Sequence, residues 1–361
     1  MLIFPRRLQR FSLAAIFVWL LLNSSSAIMT AQAQPRAYVT NRCNNTVAVI
    51  DIDTNSVVRT IPVGPFPVGI GVAITSDGPR VYVTNLQSGT VSVIDAATDT
   101  IIATIPVAAA SFNMAVAPDG AHVYLLNSAG TVSVIDTKTN TVVNTISAGM
   151  DPSAVTPDGS RLYGIAGSGI RALDLATNTV LSTTPVRINP FGVVFRPDGL
   201  FAYVEAPDQH LQIINTALNT VILDALQIGT FHDHMVMAPD GTRLYVTSPF
   251  NLASVVVIDP STNAVVNTIP IGNGPIFPAL TSDGTRLYTV NIENTVSVID
   301  TVTNTAIATI PIIDMPNDNC VLRIAVTPVP KSKDDCKASG YRKFAFTNQG
   351  QCVKYVNQHA N

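Results

Sequence analysis

From residue 34 to 327 the chain alternates apolar and polar residues in runs of about five to eight, each cut off by Gly, Pro, Asn or Asp. "TVSVID" (90–95) and "TIIATIPV" (100–107) show the pattern. Val, Ile, Thr and Tyr at a period of two are what half-buried strands require, and the bounding residues are turn formers. No stretch of this body carries the 3.6-residue period of an amphipathic helix. The pattern therefore predicts an all-β protein of many short strands.

The runs also repeat. "VSVIDAATDTIIATI" (91–105) returns as "VSVIDTKTNTVVNTI" (132–146) and "VSVIDTVTNTAIATI" (296–310). Aligning the copies gives an aromatic landmark in one strand of each: Tyr38, Tyr82, Tyr124, Tyr163, Tyr203, Tyr245 and Tyr288. An Asp-Gly turn precedes every landmark but the first, and a "VID"-like strand end follows each, at Asp51, Asp95, Asp136, Asp174, Asn215, Asp259 and Asp300. Each unit reads as four strands: A ("VGIGVAIT", 68–75), B ("RVYVTN", 80–85), C ("TVSVID") and D ("TIIATIPV"). Four strands in a period of about 40–45 residues define a propeller blade. The expected fold is a seven-bladed β-propeller of four-stranded antiparallel blades over 34–327. One blade cannot bury its own faces, so repetition is how such a fold acquires a core.

"YVTN" at 38–41 and 82–85, with "VIDTxTNTVV" following in the repeat (134–143), resembles the YVTN family of β-propeller repeats, which implies a secreted or surface-layer propeller and leaves function open. Two units depart from the pattern: "LYGIA" (162–166) in blade 4, and "AYVEA" (202–206) with Asn215 in place of Asp in blade 5.

The chain enters the repeat at strand B, so blade 1 lacks its A strand. "CVLRIAVTP" (320–328) has the A pattern with no repeat-type B strand after it, which predicts a 3+1 closure by that segment. Four cysteines allow three pairings. An A strand antiparallel to 36–41 places Cys320 opposite Cys43, so the topology selects Cys43–Cys320, and leaves Cys336–Cys352 within the tail. The tail, 328–361, resembles a short cysteine-bracketed module at the end of some secreted bacterial proteins; it could dock on the body or an envelope polymer, or stand solvated.

Residues 1–33 do not belong to the repeat. Arg6, Arg7 and Arg10 precede the apolar run "FSLAAIFVWLLL" and an A-x-A site at Ala31-Gln32-Ala33, the arrangement of a signal peptide cleaved after about Ala33. Secretion, whether extracellular, periplasmic or at the cell surface, is expected, with no integral membrane span in the mature chain, and the oxidising compartment suits disulfides.

Only 12% of the residues are charged. Between 34 and 327, 12 Lys and Arg face 22 Asp and Glu, a net of −10, whereas the tail carries +4. So acidic a body excludes a phosphate-backbone partner. The expected partner is a protein, a glycan or a small molecule, bound by a monomer.

The A–B and C–D turns emerge on one face of the disc and are monotonous; the D–A and B–C loops emerge on the other and vary. Variable loops on a rigid scaffold are where binding residues sit. The candidates there are Phe112, Asn113, Asp151, Asn189, His232, Asp233 and His234. In "FHDHM" (231–235), His232 and His234 are at i and i+2, so both imidazoles could meet one metal ion; no other cofactor is expected. Glu205, Glu293, Arg42 and Arg187 form no constellation in the sequence, and "GIAGSGI" (164–170) lacks the Lys of a phosphate loop and the frame of a nucleophile elbow. A binding scaffold is the leading expectation, and a lactonase-like, hydrolytic or metal-assisted enzyme at the channel mouth is the alternative.

Overall fold

The computed structural model describes residues 35–108, 110–127, 130–187, 190–205, 210–228, 234–249, 253–272, 274–312, 320–328, 333–337, 352 and 356. It is a ring of seven antiparallel four-stranded sheets. Blade 2 is typical: A is Pro67–Thr75, B Gly78–Asn85, C Thr90–Asp95 and D Thr100–Pro106. Strand A lines the channel and strand D forms the rim, where its middle residues are exposed.

The core lies between blades. Tyr38, Val47, Val49 and Ile61 of blade 1 pack against Val81, Val83, Ile94 and Ala96 of blade 2. Tyr82, Val91 and Val93 then pack on Val123, Leu125 and Ile135 of blade 3. Each such Val or Ile contributes about 1.5–3 kcal/mol when fully buried, which no blade could gather alone.

The ring closes as the sequence predicts. Val321–Val326 pairs antiparallel with Arg36–Asn41 as strand A of blade 1, with Tyr38 opposite Ala325. Thr327 fastens its end: its N–H donates to the Arg36 carbonyl at 2.8 Å, and its hydroxyl accepts the Arg36 N–H at 2.7 Å. At the opposite end Cys43 and Cys320 form a disulfide with a Cα separation of 5.3 Å. Cys336 and Cys352 are bonded in the tail. Both pairings fit an oxidising compartment. The tail's disulfide is not solvated: Cys336, Cys352 and Val356 are buried in the same apolar cluster as Ile52 and Ile312 at the blade 7–blade 1 seam. Apolar contact, rather than the basic charge read from the sequence, holds these three residues.

The four letters of the repeat motif each have a mechanical role. The tyrosine reaches forward to the next blade: Tyr82 Oη donates to Asn140 Oδ1 at 2.9 Å, Tyr203 to Asn263 at 2.9 Å, and Tyr288, across the seam, to Asn55 at 3.2 Å. The acceptors sit in the C–D turns with positive φ (Asn140 at 53°), a conformation Asn tolerates better than most residues. Each turn is closed by its Asp, or by Asn215 in blade 5; the Asp136 carboxylate accepts the Thr139 N–H at 2.7 Å, which holds its pKa below the usual carboxylate range. The valine fills the core. The threonine ties strand B to strand A, as Thr84 Oγ1 does in accepting the Gly69 N–H at 2.8 Å. The asparagine braces strand C, as Asn85 Nδ2 does in donating to Thr90 and Ser92.

Candidate ligand site at the channel mouth

The A strands begin at the D–A and B–C face, so their first residues ring the mouth of the channel. Asn113 lies in strand A of blade 3 (Ala110–Val116), and Asp151 opens strand A of blade 4 (Asp151–Val155). Asn113 Nδ2 donates to Asp151 Oδ2 at 2.9 Å, and Arg323 Nη2, from strand A of blade 1, donates to Asn113 Oδ1. Blades 1, 3 and 4 are thus bridged by one polar chain across the channel. The Arg323 guanidinium lies 4.4 Å above the Phe277 ring of blade 7, whose other neighbour is the His234 imidazole with ring centroids 3.9 Å apart. Stacking of this kind fixes the planar fork and adds a cation–π attraction. His234 is itself placed by the motif threonine of blade 6, since Thr247 Oγ1 accepts its N–H at 3.1 Å.

Glu205 completes the ring. It ends strand B of blade 5 (Phe201–Glu205) and is 2% exposed. Its register position is that of the motif threonine, held by Thr40, Thr84 and Thr247 in blades 1, 2 and 6. In blade 5 a carboxylate replaces the fastening hydroxyl, and the tie is supplied differently: Phe191 N–H donates to the Glu205 carbonyl at 3.1 Å, and Ser153 Oγ accepts the Val193 N–H at 2.8 Å. Gly192 then lies beside the carboxylate, and a Cβ there would sit 3.3 Å from Glu205 Oε2. The absence of a side chain at 192 leaves that oxygen room.

These groups line a half-open cavity of about 140 Å³, formed by Asn113, Ser153, Gly192, Glu205, His234 and Arg323, with Met114, Val193 and Met235 as its apolar wall. A ring of one cation, one buried carboxylate, one imidazole, an amide and a hydroxyl can orient a small polar molecule from several sides.

Of the residues singled out in the sequence, Asn113, Asp151 and His234 do converge here. Phe112 is in strand A of blade 3, with its side chain outside the described residues, as are Asn189, His232 and Asp233. Among the described residues no three His, Cys, Asp or Glu side chains are grouped to hold a metal ion. Sequence reasoning named Glu205 without a constellation to join and missed Arg323 and Ser153. Glu205 had a signal, a charged residue at the Thr position of one of the two units that depart from the motif; Arg323 had none beyond its place in the closing strand. "GIAGSGI" is a B–C turn, with Gly167 at a φ of 60° between strands Arg161–Ala166 and Gly169–Asp174.

The fold defines the chain as a seven-bladed β-propeller, and solved structures agree. It is similar to hydrazine synthase of Kuenenia stuttgartiensis (TM-score 0.60, 20% identity, covering 68% of this chain and 86% of that one). It is also similar to a functionally unknown protein from Desulfotomaculum acetoxidans DSM 771 (TM-score 0.67, 17% identity, 81% and 98% covered). A third is the dihydro-heme d1 dehydrogenase NirN in complex with DHE (TM-score 0.63, 16% identity, 82% and 75% covered). No protein-family model and no curated protein sequence matches the chain. At these identities the likeness carries the fold and not an activity. Among the described residues no helix is long and apolar enough to cross a membrane.

Proposed function

We propose that this is a secreted, monomeric YVTN-type propeller whose first 33 residues are its signal peptide, and that it acts as a binding scaffold for a small polar ligand at the channel mouth. The observation that carries the reading is the convergence of Arg323, Asn113, Ser153, Glu205 and His234 from blades 1, 3, 4, 5 and 6 on one cavity. The size of that cavity favours a small molecule over the glycan or protein the sequence also allowed. About 140 Å³ is below the ~300–1,000 Å³ of pockets that hold drug-sized ligands. A thermal-shift screen of small polar compounds on the purified protein tests this. A ligand at ~100 times its Kd adds about 2.7 kcal/mol to stability, so a hit should raise the melting temperature and lose its effect in Arg323→Gln. Hits that shift Arg323→Gln as strongly would place the binding surface elsewhere.

A second reading rests on a specific feature: a buried carboxylate and an imidazole, Glu205 and His234, line the same cavity, and such a pair can serve as general acid and base in hydrolysis. Turnover of an ester or lactone, abolished in Glu205→Gln, would establish it. Its metal-assisted form, with His232 and His234 as ligands, requires stoichiometric metal that a His232→Ala, His234→Ala double variant loses; metal-free purified protein would exclude that form.

A further inference from the structure

On the face of the A–B and C–D turns, the residue two places before the landmark tyrosine is an arginine in blades 2, 4 and 7, and each reaches forward to the next blade. Arg80 Nη1 donates to the Thr137 carbonyl, Arg161 Nη1 to that of Thr216 at 3.0 Å, and Arg286 Nη1 to that of Ile52. Each acceptor directly follows the Asp or Asn that ends strand C. The same three seams carry the tyrosine bond to the turn asparagine, Tyr82–Asn140, Tyr163–Asn219 and Tyr288–Asn55. A guanidinium and a hydroxyl thus fasten each of these C–D turns to the blade before it.

Blades 6 and 7 have the same parts and leave them unassembled. Arg243 turns back on its own blade, where Nη1 donates to the Thr242 carbonyl at 2.6 Å and stands 3.4 Å from Asp259 Oδ2. The matching carbonyl of blade 7, that of Thr301, receives no bond from it. The tyrosine bond is missing too: the Tyr245 hydroxyl faces the Thr301 side chain instead, and Asn304 Oδ1 is buried with no hydrogen-bond partner among the described residues. A buried acceptor left unmet costs stability, so the mechanics of the ring do not favour this arrangement. What it leaves is a half-open cavity of about 380 Å³, with Thr242, Arg243, Tyr245, Asp283, Thr301 and Val302 in its wall. Both ends of the missing bond, Arg243 and Thr301, therefore line the space between them.

We infer that this seam is a second binding site, on the face opposite the mouth, and that it takes a guanidinium group from outside the chain. The turn at Thr301 is the one whose counterparts in blades 1, 3 and 5 accept a guanidinium. Asp283 in the wall, whose Oδ1 closes its own turn, and Asp300, which precedes Thr301, are acidic, while the wall's own cation has Asp259 beside it. That balance favours a cation over an anion. A guanidinium suits carbonyl and carboxylate acceptors together because its donors are fixed in a planar fork. About 380 Å³ lies within the ~300–1,000 Å³ of ligand pockets and has room for the group and its alkyl stem. Val302, 78% exposed at the lip, offers that stem an apolar contact. Two sources carry such a group, a free small molecule and an arginine side chain of a partner protein, and the test separates them.

Isothermal titration of the purified protein with a capped Ala-Ala-Arg-Ala-Ala peptide, its citrulline counterpart and ethylguanidinium tests the inference. Citrulline keeps the shape of arginine and removes the charge, so the arginine peptide is expected to bind at least ~10-fold more tightly, the worth of a hydrogen bond to a charged group. Ethylguanidinium binding ~10-fold or more below the arginine peptide assigns a protein partner, and equal affinity a small molecule; both outcomes support the site. Two variants locate it. Val302→Lys puts a cation at the lip and suits the fold, since Lys138 holds the matching position in blade 3, and it should weaken the arginine peptide at least ~5-fold at low salt. Asp259→Asn, a turn residue that blade 5 already carries as Asn215, removes the charge that holds Arg243 back and should weaken the peptide likewise by letting Arg243 reach Thr301. An arginine peptide that binds no more tightly than the citrulline peptide, or does not bind, overturns the inference. So does binding that Val302→Lys leaves unchanged; if that binding is also lost in Glu205→Gln, the guanidinium sits at the mouth instead.

Discussion

The two faces of the disc are made from the same strands and do different things. On the face of the A–B and C–D turns every blade repeats one arrangement: an Asp, or Asn215 in blade 5, closing the C–D turn, an Asn or Asp at positive φ, and, from blades 1, 2, 4, 5 and 7, a tyrosine hydroxyl bonded to that residue of the next blade. On the other face the residues at the mouth differ from blade to blade: one strand-A position is Arg323 in blade 1, Gly69 in blade 2, Asn113 in blade 3, Gly192 in blade 5 and His234 in blade 6. The difference teaches that monotony marks structural work, done alike at every interface, whereas departure from the repeat marks a place where mechanics has been given up. Glu205 is the clearest case, a carboxylate where a threonine would have fastened two strands.

The strongest challenge to this division is to open the ring. Ending the chain before Val321 removes strand A of blade 1, leaves Arg36–Asn41 as an open edge and takes away a surface on which blade 7 packs; the truncated protein should lose cooperative denaturant unfolding, and an equally stable product would show that the seam does not carry the fold. Next in size is the disulfide across the seam. Cys43→Ala with Cys320→Ala frees a loop of separation 277 and should lower unfolding free energy by up to about 5 kcal/mol, the chain-entropy upper figure. A loss below about 1 kcal/mol would mean that Thr327 and the tail close the ring unaided.

A broader, shallower effect should appear with pH. Burial raises the hydroxyls of Tyr82, Tyr124, Tyr203 and Tyr288 from their ordinary value of 10 to about 12, and Tyr38, desolvated and bonded to Asp99, is raised well above 10 too. A folded-state pKa above the unfolded one means the native chain holds these protons more tightly. Stability from the tyrosines is therefore complete below pH 10 and is lost as the pH rises from 10 through about 12. Equilibrium unfolding followed across that range should show a falling midpoint, less steep in Tyr82→Phe, which has one such proton fewer. A midpoint flat to pH 12 would contradict the buried staples.

The blade count, the closing strand and both disulfides were legible in the sequence because each follows from periodicity and antiparallel geometry. The Asp-closed turns were legible for the same reason, through local side-chain chemistry. The second job of the turn asparagine, accepting from a tyrosine about 58 residues away as in Tyr82–Asn140, was not, because it depends on how far one blade overlaps the next. The mouth was half legible. Variable loops pointed to Asn113, Asp151 and His234, but Arg323 became visible only when three A strands distant in the chain met across the channel. Glu205 was within reach, as the charged residue at a register position held elsewhere by Thr40, Thr84, Leu126, Ile165, Thr247 and Val290.

The division of labour between the faces is tested most directly by one pair of denaturant unfolding curves, for Asn140→Ala and Glu205→Gln at neutral pH. Asn140→Ala removes a staple acceptor and puts a Cβ-bearing residue of low tolerance at a φ of 53°, so it should lose about 2–3 kcal/mol. Glu205→Gln keeps the shape of a side chain that the proposed function assigns to ligand binding rather than to holding the blades together, so under that proposal its stability should equal or exceed that of the parent protein. If Glu205→Gln instead loses as much as Asn140→Ala, the carboxylate at the mouth is a structural group and the two faces do the same work.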